Sequence, residues 1–501
     1  MSIPLSIPLW LPAAAAFIGL FLPAAASRGL LVLGTGLTFA WSVWTIADFD
    51  RAAAGLQNVT DELWIAELGI HYKLGIDGLN LFLIALAAFL FFVCAFWAAR
   101  TDRERPQLFA FFFALAESGV LGALMAQDLA LFVLFFDLML IPFLFIGGMW
   151  GPESTRVAAM LKLFIYTLVG SLLMLAAAIA TGVLVSQQSG ADLSFALSDL
   201  GRTVLPEGSQ QWIFLCFAAA FLVKMPAFPL HGWMPDGYRN LPLPALAVFS
   251  AVLSKVAAYG FLRVSVGLFP DASAHFQELM IVLAIVSILY GSVMAFTVTN
   301  MRLVLGYSSV AQLGFIVLGI FALNADGAQG AILQSVNHGL VVAPAFVVIA
   351  YLAARAGGSE DLRDMGGMAF RAPVLATLFL IVALATLAMP GSSNFVGEFL
   401  ILLGAFDTSV LAAVIASIGV VLASVYGLRL YIRSMHNRVG PQADSREISV
   451  GEGLVLVPLV AAILFFAVYP QLALSRGEVA ITKSVQAAAA LAQPDATAQA
   501  K

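Results

Sequence analysis

Phe221-Leu-Val-Lys-Met-Pro-Ala-Phe-Pro-Leu-His-Gly-Trp-Met-Pro-Asp236 closes an apolar run with a lysine and then interrupts it with prolines. Lys224 stands two residues before Pro226, and Pro229, His231, Pro235 and Asp236 follow close behind. Proline lacks the backbone N–H that the carbonyl of Leu222 would receive in a regular helix, so a helix is predicted to break beside Lys224. A second lysine, Lys255, follows inside the next apolar run. A desolvated lysine gives up its proton more readily than an exposed one, which suits it to proton transfer; the competing reading is a lysine that snorkels to an interface.

The rest of the chain shows what surrounds that break. Of 501 residues, 61% are hydrophobic and 11% are charged, about half the charged share of an ordinary soluble protein. Apolar runs of about 20 residues, each able to cross about 30 Å of hydrocarbon as a helix, recur at 3–22, 29–47, 78–98, 107–127, 129–149, 160–185, 211–227, 242–267, 277–297, 303–322, 328–354, 373–404, 408–432 and 453–474. They lack the alternation of barrel strands, so the expected class is an all-α integral membrane protein with about fourteen transmembrane helices. The twelfth run is too long for one straight span and carries Met389-Pro390-Gly391, which predicts a second interrupted helix.

The first run has no basic segment before it and is read as a retained span, although Ala24-Ala-Ala-Ser27 resembles a cleavage site. With both termini outside, about 14 arginines fall on the cytoplasmic side, Arg100, Arg103 and Arg105 among them, against about 7 basic residues outside, which favours that orientation. Leu68-Gly-Ile-His-Tyr-Lys-Leu-Gly-Ile-Asp77 alternates like a short strand on the outer surface, and the tail 476–501 is expected to lie along the membrane or fray. Cys94 and Cys216 have neither CxxC nor Cys/His spacing, so no metal or disulfide framework is indicated. The net charge of −5 has no basic stripe, which gives no support to nucleic-acid binding, and phosphate-cradling loops are missing.

Glu117, Asp137, Lys162, Lys224, Lys255, His338 and Glu398 lie within or at the edges of apolar runs. Each would cost at least about 2.5–3.5 kcal/mol at a helix centre facing lipid, so each must face protein, water or another of the set. Asp137 precedes Pro142 by little more than a helical turn and is placed to act on Lys224, or else to hold two helices by a hydrogen bond. His338 can relay protons through two nitrogens or be a hydrogen-bonded core histidine. Glu398 lies a few residues past the second break. The order Asp137, Lys224, Lys255, His338, Glu398 reads as a chain of proton-holding groups, with Glu117, Lys162, His231 and Gln312 secondary to it. The two breaks, each with one ionisable group, suggest an inverted repeat of five helices with ion sites near the midplane. The expected divisions are 1–106 (helices 1–3 with an outer loop), 107–267 and 268–435 (the two halves), and 436–501 (helix 14 and the tail).

Val223-Lys-Met-Pro-Ala-Phe-Pro-Leu-His-Gly-Trp-Met-Pro-Asp236, Tyr307-Ser-Ser-Val-Ala311, His338-Gly-Leu340 and Pro390-Gly-Ser-Ser-Asn-Phe-Val-Gly-Glu-Phe399 together resemble the M-type antiporter-like subunits of bacterial respiratory complex I, the NADH:quinone oxidoreductase. The likeness runs through nearly the whole chain. It implies fourteen helices, two inverted five-helix repeats, residence in the bacterial inner membrane, and proton translocation driven by electron transfer in partner subunits. Those partners, neighbouring antiporter-like subunits among them, would carry NADH, FMN, Fe-S clusters and quinone, and this chain would hold no redox centre. By position, Lys224 would be the pumping lysine of the first half, Lys255 the connecting lysine, His338 a continuation of the central axis, and Glu398 the terminal site of the second half. Sister subunits and sodium/proton antiporter subunits typically have lysine at that last position, so the glutamate favours the M type.

Three positions depart from the family pattern. Asp137 replaces a glutamate, Gln312 replaces a titratable histidine, and Pro235-Asp-Gly-Tyr238 replaces Pro-Asp-Ala-His. Water would have to bridge the relay at Gln312. The alternatives on the same scaffold are a subunit of a sodium/proton antiporter or membrane-bound hydrogenase, and a non-transporting membrane scaffold whose polar residues only join helices.

Overall fold

The computed structural model describes residues 3–53, 55–441, 443–444 and 446–492, and they are almost entirely helical. Two helices, α1 (Ser6–Gly19) and α2 (Ala24–Asp48), lead into an antiparallel hairpin of β1 (Gln57–Ile65) and β2 (Ile70–Ile76). The alternation at 68–77 is therefore a strand, and its partner is the more polar segment before it. Crossings three to eight are α3 (Leu81–Ala99), α4 (Pro106–Met125), the pair α5 (Leu129–Leu138) and α6 (Ile141–Trp150), α7 (Arg156–Ser189), then after the one-turn α8 (Leu197–Leu200) the helix α9 (Glu207–Lys224). The short α10 (Met234–Asn240) follows, and the eighth crossing runs from α11 (Leu243–Val248) to α12 (Ser254–Gly260).

After α13 (Pro270–His275) come α14 (Gln277–Thr297), α15 (Met301–Phe321), α16 (Ala325–Arg355), the pair α17 (Pro373–Thr386) and α18 (Ser393–Thr408), α19 (Val410–Met435) and α20 (Val450–Val468). Among the described residues eleven helices are long and apolar enough to cross a bilayer. The other three expected crossings are α1, α9 and the α17/α18 pair, which are short or interrupted. The tail forms α21 (Gln471–Ala492), with Ala473, Gly477, Ile481, Val485 and Ala488 buried against the bundle; residues 493–501 lie outside the described residues.

Both predicted interruptions are present, each at the fourth crossing of its set of five. Because five is odd, the second set begins on the opposite face from the first, which makes the repeat inverted. The first break differs in detail from the expectation. The Leu222 carbonyl is not stripped of a partner, because Ala227 N–H donates to it at 3.0 Å and Trp233 Nε1 donates to the Val223 carbonyl at 2.9 Å. The backbone steps one residue wider past Pro226 and remains satisfied in an apolar surround.

Two further irregularities were not expected. The fifth crossing breaks at Met139–Leu140, ahead of Pro142, and the eighth contains π-helical segments at Phe249–Leu253 and Phe261–Val266. Such segments widen the hydrogen-bond ladder and recur at functional sites.

Burial is graded across the bundle. On α7, Val157, Leu161, Ile165, Val169 and Leu172 repeat at one-turn spacing and are all exposed, as befits a face toward lipid. The eighth crossing, α15 and α16 are enclosed by other helices, the first two wholly so. Only enclosed helices can hold polar side chains without presenting them to hydrocarbon, and these three carry Lys255, Gln312 and His338. Close crossings at small residues keep α16 and α18 together: a Cβ built on Gly330 would lie 2.7 Å from the backbone nitrogen of Ile401. At one end of the bundle Arg355, fully buried, donates to both carboxylate oxygens of Glu452 at 3.0 Å, and Arg302 pairs with Glu360.

Candidate functional site

Lys224 is the last residue of α9, so its side chain leaves the helix where Pro226 ends it. It is buried, donates to the Phe136 carbonyl at 3.1 Å, and lies 4.4 Å from the centre of the Phe136 ring. That carbonyl sits near the end of α5, where the break at Met139 loosens the ladder. Asp137, the next residue, is half-buried and accepts a hydrogen bond from Ser171 on α7. No ion pair within 4 Å joins Asp137 to Lys224 among the described residues; the two meet through the Phe136 backbone. The shorter aspartate reaches toward α7 rather than the lysine.

Glu117 is fully buried on α4, and neither of its carboxylate oxygens has a protein hydrogen-bond partner. Nothing in its sequence surroundings breaks the helix, yet α4 meets the break in the fifth crossing: a Cβ on Gly119 would lie 2.6 Å from the Met139 Cα. Lys162, at the edge of its apolar run, stands apart from the buried groups. It pairs at 2.7 Å with Asp236, and both side chains are nearly half exposed, so it belongs to the rim. A long side chain near a helix end can carry its charge out to such a position. His231 is buried in the loop after α9, with Nε2 3.2 Å from the Tyr290 hydroxyl and its ring among Phe228, Tyr290 and Tyr307.

Lys255 stands two residues past the first π segment. Its ammonium donates to the Ser250 carbonyl at 3.1 Å and to Ser254 Oγ at 3.2 Å, and Tyr238 donates to Ser250 Oγ at 2.9 Å. The widened ladder leaves the Ser250 carbonyl available to the lysine. Lys224, Tyr238 and Ser254 line one small cavity of about 10 Å³, room for about one water centre. Lys224 thus borders a water-sized space whose wall also carries Ser254, the hydroxyl bonded to Lys255.

His338 is buried on α16, and its Nδ1 has no protein partner. The adjoining Gly339 packs on the eighth crossing, where a Cβ would lie 2.9 Å from the Ala251 carbonyl oxygen. Toward the second break Asn337 donates to the Ser393 carbonyl at 2.6 Å. Ser392 and Ser393 hydroxyls, both amide atoms of Asn394 and the Asn337 oxygen are buried without protein partners. Buried polar atoms are seldom left unpaired, so this cluster is suited to ordered water.

Glu398, on α18, accepts from Gln312 Nε2 at 2.6 Å and from Gln334 Nε2 at 3.4 Å, and Gln334 also donates to Gln312 Oε1 at 2.8 Å. The buried Tyr426 hydroxyl of α19 lies beside this triad. Sequence reasoning overlooked Gln334, Asn337, Ser250, Ser254, Asn394 and Tyr426. Gln334, Asn337 and His338 stand at i, i+3 and i+4, a polar stripe inside an apolar run that could have been found.

The structure therefore links Lys224 to Lys255 through one cavity and Ser254, sets His338 against the Lys255 crossing, and holds Glu398 in an amide triad across α15, α16 and α18. It places Lys162 elsewhere. Such an arrangement can hold protons at successive basic and acidic stations and pass them through hydroxyls and water.

The family described as NADH:quinone oxidoreductase/Mrp antiporter, TM, matches residues 126–423. The chain is 36% identical over 493 residues to NADH-quinone oxidoreductase subunit M of Rhodobacter capsulatus, covering 93% of each, and 34% identical over 453 residues to the subunit M of Escherichia coli, covering 88% and 89%. Respiratory complex I from Thermus thermophilus contains a chain that superposes with a TM-score of 0.88 at 31% identity, covering 97% of this chain and 99% of that one. A chain of the Mrp complex from Dietzia sp. superposes with a TM-score of 0.79 at 21% identity over 99% of each, a likeness of fold alone.

Proposed function

Because the chain belongs to the NADH:quinone oxidoreductase/Mrp antiporter membrane family, we propose that it is the M-type proton-translocating subunit of an NADH:quinone oxidoreductase and that its protons pass along Lys224, Lys255, His338 and Glu398. The observation that carries the reading is the cavity lined by Lys224 and Ser254, the serine hydroxyl in turn bonded to Lys255, so that one water and one hydroxyl lie between two buried lysines. In the resting arrangement Lys224 holds its proton on the Phe136 carbonyl and ring. A change in the field at Asp137, driven by electron transfer in partner subunits, alters how well that position holds a cation. The proton then crosses the cavity by way of water and Ser254 to Lys255.

From Lys255 the path continues to His338, whose unpartnered nitrogen can accept, and through water among Asn337, Asn394 and Ser393 to Glu398. Gln312 and Gln334 position the carboxylate and do not themselves store a proton. Redox cofactors and quinone belong to the partner subunits, and the chain sits in the bacterial inner membrane with both termini on the extracytoplasmic side. A glutamate rather than a lysine at 398 supports this assignment over the antiporter reading.

The test is Lys224→Ala in the assembled complex, with NADH-driven acidification and quinone reduction measured in proteoliposomes. Both are expected to fall together. Unchanged pumping with the variant present in the complex rejects the relay and leaves the scaffold reading.

A further inference from the structure

A cleft of about 540 Å³ opens between α2 and α3 on the outer face of the bundle, away from the ionisable path. Its walls are apolar: Val32 and Leu37 from α2, Phe92 and Phe96 from α3, with Gly29 leaving the space open and Gly36 packed against Phe92. One end is capped by Arg28 and Arg100. Arg28 pairs at 3.1 Å with Asp102, which is almost fully exposed, and such exposed pairs are weak. Arg100 lies 5.2 Å from the Phe96 ring centre, and no carboxylate comes within 4 Å of it among the described residues. With Arg103 and Arg105, four arginines here face two carboxylates, Asp102 and Glu104.

We infer that this cleft binds an anionic phospholipid, with its phosphate between Arg28 and Arg100 and an acyl chain lying along α2 toward Leu37. Depth and width both fit. From Arg28 to Leu37 a helix rises about 14 Å, close to one leaflet, half of the hydrocarbon core of about 30 Å. Spread over that length, the volume gives a cross-section on the order of 40 Å², about half of what a helix roughly 10 Å wide occupies. A hydrocarbon chain fits along such a slot. Guanidinium groups at the membrane–water boundary, one of them without a carboxylate, complete the match to a phosphate diester.

The test uses the purified complex containing this chain, titrated with dioleoylphosphatidylglycerol or dioleoylphosphatidylcholine in detergent, with retained lipid counted by native mass spectrometry. With surface attraction worth about fivefold per arginine, the double variant R28Q/R100Q is expected to hold one phosphatidylglycerol about 25-fold more weakly and to treat phosphatidylcholine as the native complex does. Gly29→Leu, which fills open space and leaves both arginines, is expected to lose the same lipid. A photo-crosslinking residue at Leu33 in the otherwise native complex is expected to attach to lipid. Native-level phosphatidylglycerol retention in both variants, equal retention of the two lipids by the native complex, or a crosslink from position 33 to a polypeptide overturns the inference.

Discussion

Replacing Glu398 by Gln tests the end of the relay with little disturbance of packing. Glutamine has the same length, and it can still accept from Gln312, which now sits 2.6 Å from the carboxylate, and from Gln334. What it loses is a place for the proton. Without that base a proton passing this depth stands as an uncompensated charge, and a charge near the centre of the bilayer costs at least about 2.5–3.5 kcal/mol. At 1.36 kcal/mol per factor of ten, transfer through position 398 slows about 70- to 400-fold, which amounts to loss of pumping through this chain. The assay is acidification of proteoliposomes carrying the assembled complex, with quinone reduction followed in parallel and assembly checked on a native gel. Glu398→Asp, which keeps a titrating group but pulls it back from the amides, is expected to fall between the two. Pumping by assembled E398Q at the native rate would refute the reasoning, because no other titrating side chain belongs to that triad.

Asp137→Glu is expected to keep pumping and Asp137→Asn to lose most of it, since Asn can still accept from Ser171 but brings no charge to the Phe136–Lys224 contact; the same proteoliposome assay decides. Gly397→Ala places a methyl 2.9 Å from the Gln334 backbone nitrogen, so the α16–α18 crossing should weaken by about 1–3 kcal/mol, read as a lower thermal midpoint of the complex. In the loop after α16, Arg363 hydrogen-bonds Asp361 and pulls its carboxyl down to about 2, with Thr299 adding a further donor. A folded value below the ordinary carboxylate value of about 3.9 means that this stabilisation is complete above about pH 4 and is lost as pH falls toward 2. Hydrogen exchange at the neighbouring Met301 and Leu362 amides should therefore quicken across that window in the native chain, relative to Asp361→Asn measured at the same pH.

Membrane residence, the number of crossings and the two proline breaks were legible because each depends on local chemistry: an apolar run long enough to span hydrocarbon, or a proline that removes a donor. Lys224, Lys255, His338 and Glu398 were legible for the same reason, since an ionisable group in an apolar run is conspicuous wherever it points. Lys162 was equally conspicuous, but that it pairs with Asp236, both side chains partly exposed, is not visible in the sequence. The π segments beside Lys255 escaped notice, since Phe249-Ser-Ala-Val-Leu253 has neither proline nor glycine, and the widened ladder arises from how that crossing packs.

The chain by itself determined that buried charges lie beside broken helices, because hydrophobicity and backbone donors are properties of short stretches. Which of those charges meet was decided by tertiary structure alone. Lys224 faces Phe136 across 88 positions, Gln312 reaches Glu398 across 86, and Gln334 completes that triad from a third helix. Contacts between helices depend on rotation and crossing angle, which are fixed by glycine-lined packing across the whole bundle and leave no local signature in the residues they bring together.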